Sequence, residues 1–131
     1  MQPWQRPYLT GKCFDFVLAL AEAVDNPVFV AIGSAKYPDH VGLRVGDELY
    51  ADIRGVLGRA EFLAHHADSE DAIEVVERDD VAFQCGLSGF EPPYKGNRDI
   101  AAARGAVRLA FPDGLRAAVD AAIAAQQSCR P

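Results

Sequence analysis

Apolar side chains at Phe14, Val17, Leu18, Ala21 and Val24 recur at helical spacing and predict a helix over 11–25. Asn26-Pro27 ends it, because a residue ahead of proline is pushed out of the helical region. "PVFVAIG", residues 27 to 33, is a short β-branched run and reads as a buried strand. "HVGLRV" and "LYADIR" alternate apolar and polar positions and read as two strands joined by "GDE". A short helix is expected in "GVLGRAEFLAHHAD", ending near Ala67, and a strand over 72–78. "LSGFEPPYKGN" carries two prolines and two glycines and reads as a loop. Asn97 is placed to cap a helix to about Phe111, with Ile100, Ala103, Val107 and Ala110 on one face. Asp113 is placed to cap a last helix to about Gln126, with Leu115, Ala118, Val119, Ala122 and Ile123 inward. Residues 1 to 10, with two prolines and little periodicity, read as an extended arm. The expected order is α-β-β-β-α-β-α-α, an α+β fold on an antiparallel sheet.

The hairpin alternation also predicts a register. Keeping Val41, Leu43 and Val45 on one face with Leu49, Ala51 and Ile53 pairs 45 with 49, 43 with 51 and 41 with 53. The loop is then the three residues Gly46-Asp47-Glu48. His40 and Asp52 fall together on the other, non-core face, with Gly42 opposite Asp52. A diagonal pair of this kind is roughly 7–8 Å apart at the backbone, within reach of long side chains. The missing side chain at Gly42 leaves room for the imidazole to lean across. A two-residue turn at Gly46-Asp47 would instead send the two to opposite faces.

Composition narrows the function classes. The chain has 131 residues, 50% hydrophobic and 24% charged, which suits one soluble domain. Its net charge of −6, with no basic run, argues against a nucleic-acid partner. No stretch has membrane-spanning length, and "MQPWQRPYLT" lacks the apolar centre of a signal peptide. The expectation is a cytoplasmic protein without a membrane partner, with delivery as an effector left open. Cys13, Cys85 and Cys129 are odd in number and widely spaced, so neither a disulfide frame nor a structural zinc is expected, and the thiols read as free.

Cys13 has two readings. A lone helical cysteine is commonly a buried core residue. In the first turn of a helix, however, unpaired N–H groups and the helix dipole favour the thiolate and lower its pKa. His40 alone reads as a strand residue, and Asp52 alone as a partner for Arg44 or Arg54. Together the three supply a nucleophile, a base and an acid to orient the base. The neighbours His65 and His66 point in different directions on a helix, and no third ligand is evident, so they read as charges near a helix end. Cys85 reads as a buried structural thiol and Cys129 as part of a polar tail. "DSEDAIEVVERDD" lacks the ligand alternation of a calcium loop.

"GKCFDFVLALAEAV" followed by "DHVGLRVGDELYADIRGV" resembles the small papain-like cysteine hydrolases of bacteria and phages. Those proteins place Gly-x-Cys at the start of a first long helix, then a strand opening with His, then an Asp within "Y-x-D-x-x-G". The phrase here is Tyr50 to Gly55. The chain order is shared with transglutaminase-like and arylamine N-acetyltransferase-like enzymes. The resemblance covers about residues 11 to 56. It implies a papain-like domain over 1–131, with an arm over 1–10, a catalytic core over 11–78 and a helical pair over 97–127. It implies Cys13 as nucleophile, His40 as base and Asp52 as orienting acid, with no cofactor and a protein or peptide substrate. The reaction would be that of a peptidase, isopeptidase or glutamine deamidase, or an acyl transfer, through a thioester. Many such enzymes carry an oxyanion-hole glutamine some six residues before the cysteine. Position 7 here is Pro7 and the nearest glutamine is Gln5, so the backbone N–H of Cys13 is the better donor. Gly11 would clear the approach, and Phe90 and Tyr94 could line the cleft. A binding or immunity-type module on the same fold is the alternative.

Overall fold

The computed structural model describes residues 2–10, 12–33, 38–64, 73–77 and 100–128. A 3-10 turn (Pro3–Gln5) leads into α1 (Pro7–Thr10) and α2 (Cys13–Ala21). The strands β1 (Val28–Gly33), β2 (Pro38–Gly46), β3 (Leu49–Asp52) and β4 (Gly55–Gly58) follow, then α3 (Arg59–Leu63) and β5 (Ile73–Val76). Two helices close the described chain, α4 (Ile100–Ala110) and α5 (Leu115–Ser128). The five strands form one antiparallel sheet in the order β4-β3-β2-β1-β5, so the fold is α+β. No helix of the described residues is long and apolar enough to cross a membrane.

Both faces of the sheet are covered. On one, Phe29, Ala31, Val41, Leu43, Ala51 and Ile53 pack with Phe16, Val17 and Leu20 of α2 and with Ala106, Phe111 and Leu115. On the other, Val30, Ile32 and Tyr50 pack with Phe62 and Leu63 of α3. β1 therefore feeds alternate residues to two apolar layers, which is why its sequence is a continuous apolar run and not an alternating one.

Several expectations are corrected. Residues 3–10 form helical turns rather than an extended arm, because proline fits the first turn of a helix, where its missing N–H costs nothing. The first helix is shorter than its apolar pattern, running from Cys13 to Ala21. "GVLG" is a strand, β4, paired antiparallel with β3, and the helix after it is short. On α4, Ala103 and Ala106 are buried while Ile100, Val107 and Ala110 are half-buried. On α5, Leu115 is buried but Ile123 is exposed, so the inward face fades along the helix. Helix α5 begins at Leu115, preceded by Gly114 with φ +91°, so Asp113 stands outside its first turn.

The hairpin keeps its predicted parity by a different route. Leu43 pairs with Ala51 as expected, but Gly46 pairs with Leu49 across the two-residue turn Asp47-Glu48. The register shifts between Arg44 and Gly46, so Val45 is an extra residue on β2. That bulge absorbs the residue that would have reversed the faces.

Candidate functional site

The β2–β3 register sets His40 and Asp52 on the same face, and their side chains meet. Nε2 of His40 lies 2.9 Å from Oδ2 of Asp52, with the side chains 0% and 2% exposed. The expectation of a solvent-facing, non-core face is corrected here, because α3 covers it. The ring of Phe62 lies 5.6 Å from that of His40 and stacks at 4.9 Å on Tyr50, with an interplanar angle of 14°. The space at Gly42 is taken by Phe62 rather than left for the imidazole.

Arg54, absent from the sequence-derived site, completes the polar cluster. Its backbone N–H donates to Oδ1 of Asp52 at 2.7 Å, and its Nη2 donates to Oδ2 at 2.6 Å. Nε lies 3.2 and 3.1 Å from the two carboxylate oxygens. The same guanidinium donates from Nη1 to the carbonyl of Glu61 and from Nη2 to that of Phe62, each at 3.1 Å. One side chain thus ties the carboxylate to the end of α3. Its signal in the sequence is the "D-x-R" spacing at the end of a strand, in which Arg54 reads only as an ion-pair partner for Asp52.

Burial works against a charged Asp52. The hydrogen bonds and charges of His40 and Arg54 outweigh it and hold the carboxyl below its ordinary range. An ionised carboxylate only accepts hydrogen bonds, so the proton between the two side chains sits on Nε2 of His40. Whenever the ring is neutral, its lone pair is then on Nδ1.

Cys13 is the first residue of α2 and is 3% exposed. No side chain caps this helix start, and the nearby backbone N–H groups of Val41 first, then Phe14 and Cys13, favour the thiolate. Burial nevertheless dominates and pushes the thiol up to about 11. This reverses the expected direction. The helix start does favour the thiolate, but desolvation outweighs it.

Cys13 packs among the α2-side apolar residues, whereas His40 lies under Phe62 on the other face. The sulfur meets β2 at the backbone of Val41, the residue next to His40. Nδ1 of His40 is buried, and the contact with Asp52 engages the other ring nitrogen. Gln5 is engaged elsewhere. Its Oε1 accepts from the N–H of Gln2 at 2.7 Å, and its Nε2 donates to the carbonyl of Ile53 at 3.2 Å. Gly11, Phe90 and Tyr94 lie outside the described residues, as do His65, His66, Cys85, Asn97 and Cys129. Among the described residues, no three His, Cys, Asp or Glu side chains gather to hold a metal ion.

No family model, curated protein or solved structure matches this chain.

Proposed function

We propose that the protein is a cysteine-dependent hydrolase or acyl transferase of papain-like type, acting on a protein or peptide carbonyl through Cys13, His40 and Asp52. The observation that carries this reading is the buried contact of Asp52 with Nε2 of His40, next in sequence to Val41, whose backbone N–H favours the Cys13 thiolate. The carboxylate fixes the ring so that Nδ1 is the basic nitrogen.

In the reaction, Nδ1 takes the thiol proton as the sulfur bonds to the carbonyl carbon. The carbonyl oxygen becomes an oxyanion, and the backbone N–H of Cys13 is its donor. Collapse of this intermediate breaks the bond to the leaving amine, which takes the proton from Nδ1 and leaves a thioester. Water, or an acceptor amine, then attacks the thioester and returns the proton to the thiol. A neutral resting thiol suits proton transfer during attack rather than a preformed ion pair. Hydrogen bonds of this kind are often long before substrate binds and tighten in the complex.

The low exposure and raised pKa of Cys13 favour a second reading, a non-catalytic binding module with a core thiol. The test uses a chain in which Cys85 and Cys129 are serine. It is incubated with p-nitrophenyl acetate, and acetylation of Cys13 is followed by intact mass. The expected result is acylation at least ten times faster than in His40→Ala. Equal rates in the two proteins would overturn the catalytic reading and leave the binding module.

A further inference from the structure

We propose that Arg54 is a positioning residue that sets the tautomer of His40 by keeping Asp52 a carboxylate. The inference rests on the reading of His40 as the base for Cys13, but its chemistry belongs to three residues whose contacts are independent of substrate.

A carboxyl group that is 2% exposed is poorly solvated, and burial alone favours its protonated form. If Asp52 carried the proton, it would become a donor towards Nε2 of His40, and Nε2 would have to accept. The ring proton would then sit on Nδ1, the position from which the base acts. The residues would be unchanged, yet the lone pair would face the wrong partner. In a related nucleophile–histidine–acid arrangement, a tautomer error of this kind lowers turnover by roughly 10⁴-fold.

Arg54 opposes that outcome. Its guanidinium reaches Oδ2 at 2.6 Å, its Nε spans both oxygens, and its own backbone N–H holds Oδ1. With these donors in place Asp52 has no lone pair to spare for a proton, and its remaining acceptor direction is the one facing Nε2. The guanidinium cannot drift, because Nη1 and Nη2 also hold the carbonyls of Glu61 and Phe62 at the end of α3. Those bonds seat Phe62 beside the imidazole, so one residue fixes both the charge state of the acid and the wall behind the base.

The ring nitrogens of His40 are observed by ¹⁵N NMR of the labelled full chain, with the signals assigned by their loss in His40→Gln. The wild type is expected to carry its proton on Nε2. Arg54→Gln keeps side-chain donors but removes the charge, and a substantial Nδ1–H population is expected. Arg54→Lys keeps the charge and is expected to retain Nε2–H. A wild-type tautomer in Arg54→Gln, or an Nδ1–H tautomer in Arg54→Lys, would overturn the proposal. If Cys13 is acylated as proposed, Arg54→Gln also slows acylation by about 10²-fold or more. Absence of any acylation in the wild type, with the tautomer shift intact, would defeat the hydrolase reading and leave the role of Arg54 standing.

Discussion

The ring of Phe62 occupies the place where a side chain on Gly42 would stand. A Cβ at Gly42 would lie 2.8 Å from Cε1 of Phe62, and 2.9 Å from both its Cζ and the carbonyl oxygen of Ala51. The glycine in the middle of β2 is therefore what lets α3 lie flat on this face and wall in the imidazole of His40.

Gly42→Ala should accordingly destabilise the protein by about 1–3 kcal/mol, the usual range for overpacking. The ring of Phe62 can tilt, but the Ala51 carbonyl belongs to the β3 ladder and cannot give way cheaply. Urea unfolding measures the loss. In the double variant with Phe62→Leu the two effects should be less than additive, because each acts on the same contact.

The turn joining β2 and β3 carries a local strain that is separable from the site. Glu48 has φ 56°, in the left-handed region that non-glycine residues occupy at a cost of about 1–2 kcal/mol. Glu48→Gly should raise stability by about 1 kcal/mol, less than the full strain because glycine also loosens the unfolded chain. An increased urea midpoint with an unchanged slope is the expected result.

The sequence was most legible where the two-residue period was strict. Val41 to Val45 and Leu49 to Ile53 placed His40 and Asp52 on one face, and the bulge at Val45 altered the turn without altering that parity. It was least legible where polar residues are buried by one another. His40 and Asp52, with Gly42 between them on that face, looked like a solvent face, because pattern reading assigns polar positions to water. They are covered because Asp52 pairs with both His40 and Arg54 and Phe62 closes over the glycine. "GVLG" was hidden for a related reason, since two glycines in four residues weaken any strand signal. The position of Cys13 at a helix start was readable from Gly11-Lys12-Cys13. The direction of its pKa was not, because that depends on burial by α2 and the sheet, which a linear pattern does not carry.

Asp52 links stability to acid. Its pKa is lower in the folded protein than the ordinary value of about 4, so in that region the unfolded chain binds more protons than the native one. The stabilisation from its ionisation is present above the unfolded value and is lost as pH falls through the folded one. Asp52→Asn should lower stability at pH 7 by about 3–5 kcal/mol, because His40 and Arg54 lose a buried charged partner. The same variant should show a shallower loss of stability below about pH 4. Urea unfolding of both proteins from pH 2 to pH 7 checks the two expectations together.

Cys13 links stability to base, with the opposite sign. Its thiol is pushed up to about 11 in the fold, against about 8.5 in an unfolded chain, so the native state holds the proton while the unfolded state releases it. Its contribution is full below about pH 8.5 and falls as pH rises towards the folded value, by on the order of 3 kcal/mol across the window. Other groups titrate there as well, so the measured quantity is the difference in slope between the wild type and Cys13→Ala. The alanine variant should be less stable near neutrality, from the lost packing, and flatter towards pH 11. Alkylation of the native thiol by iodoacetamide at pH 7 should be much slower than that of the urea-unfolded chain, with Cys85 and Cys129 replaced by serine in both. A native rate equal to the unfolded one would contradict the burial of this sulfur.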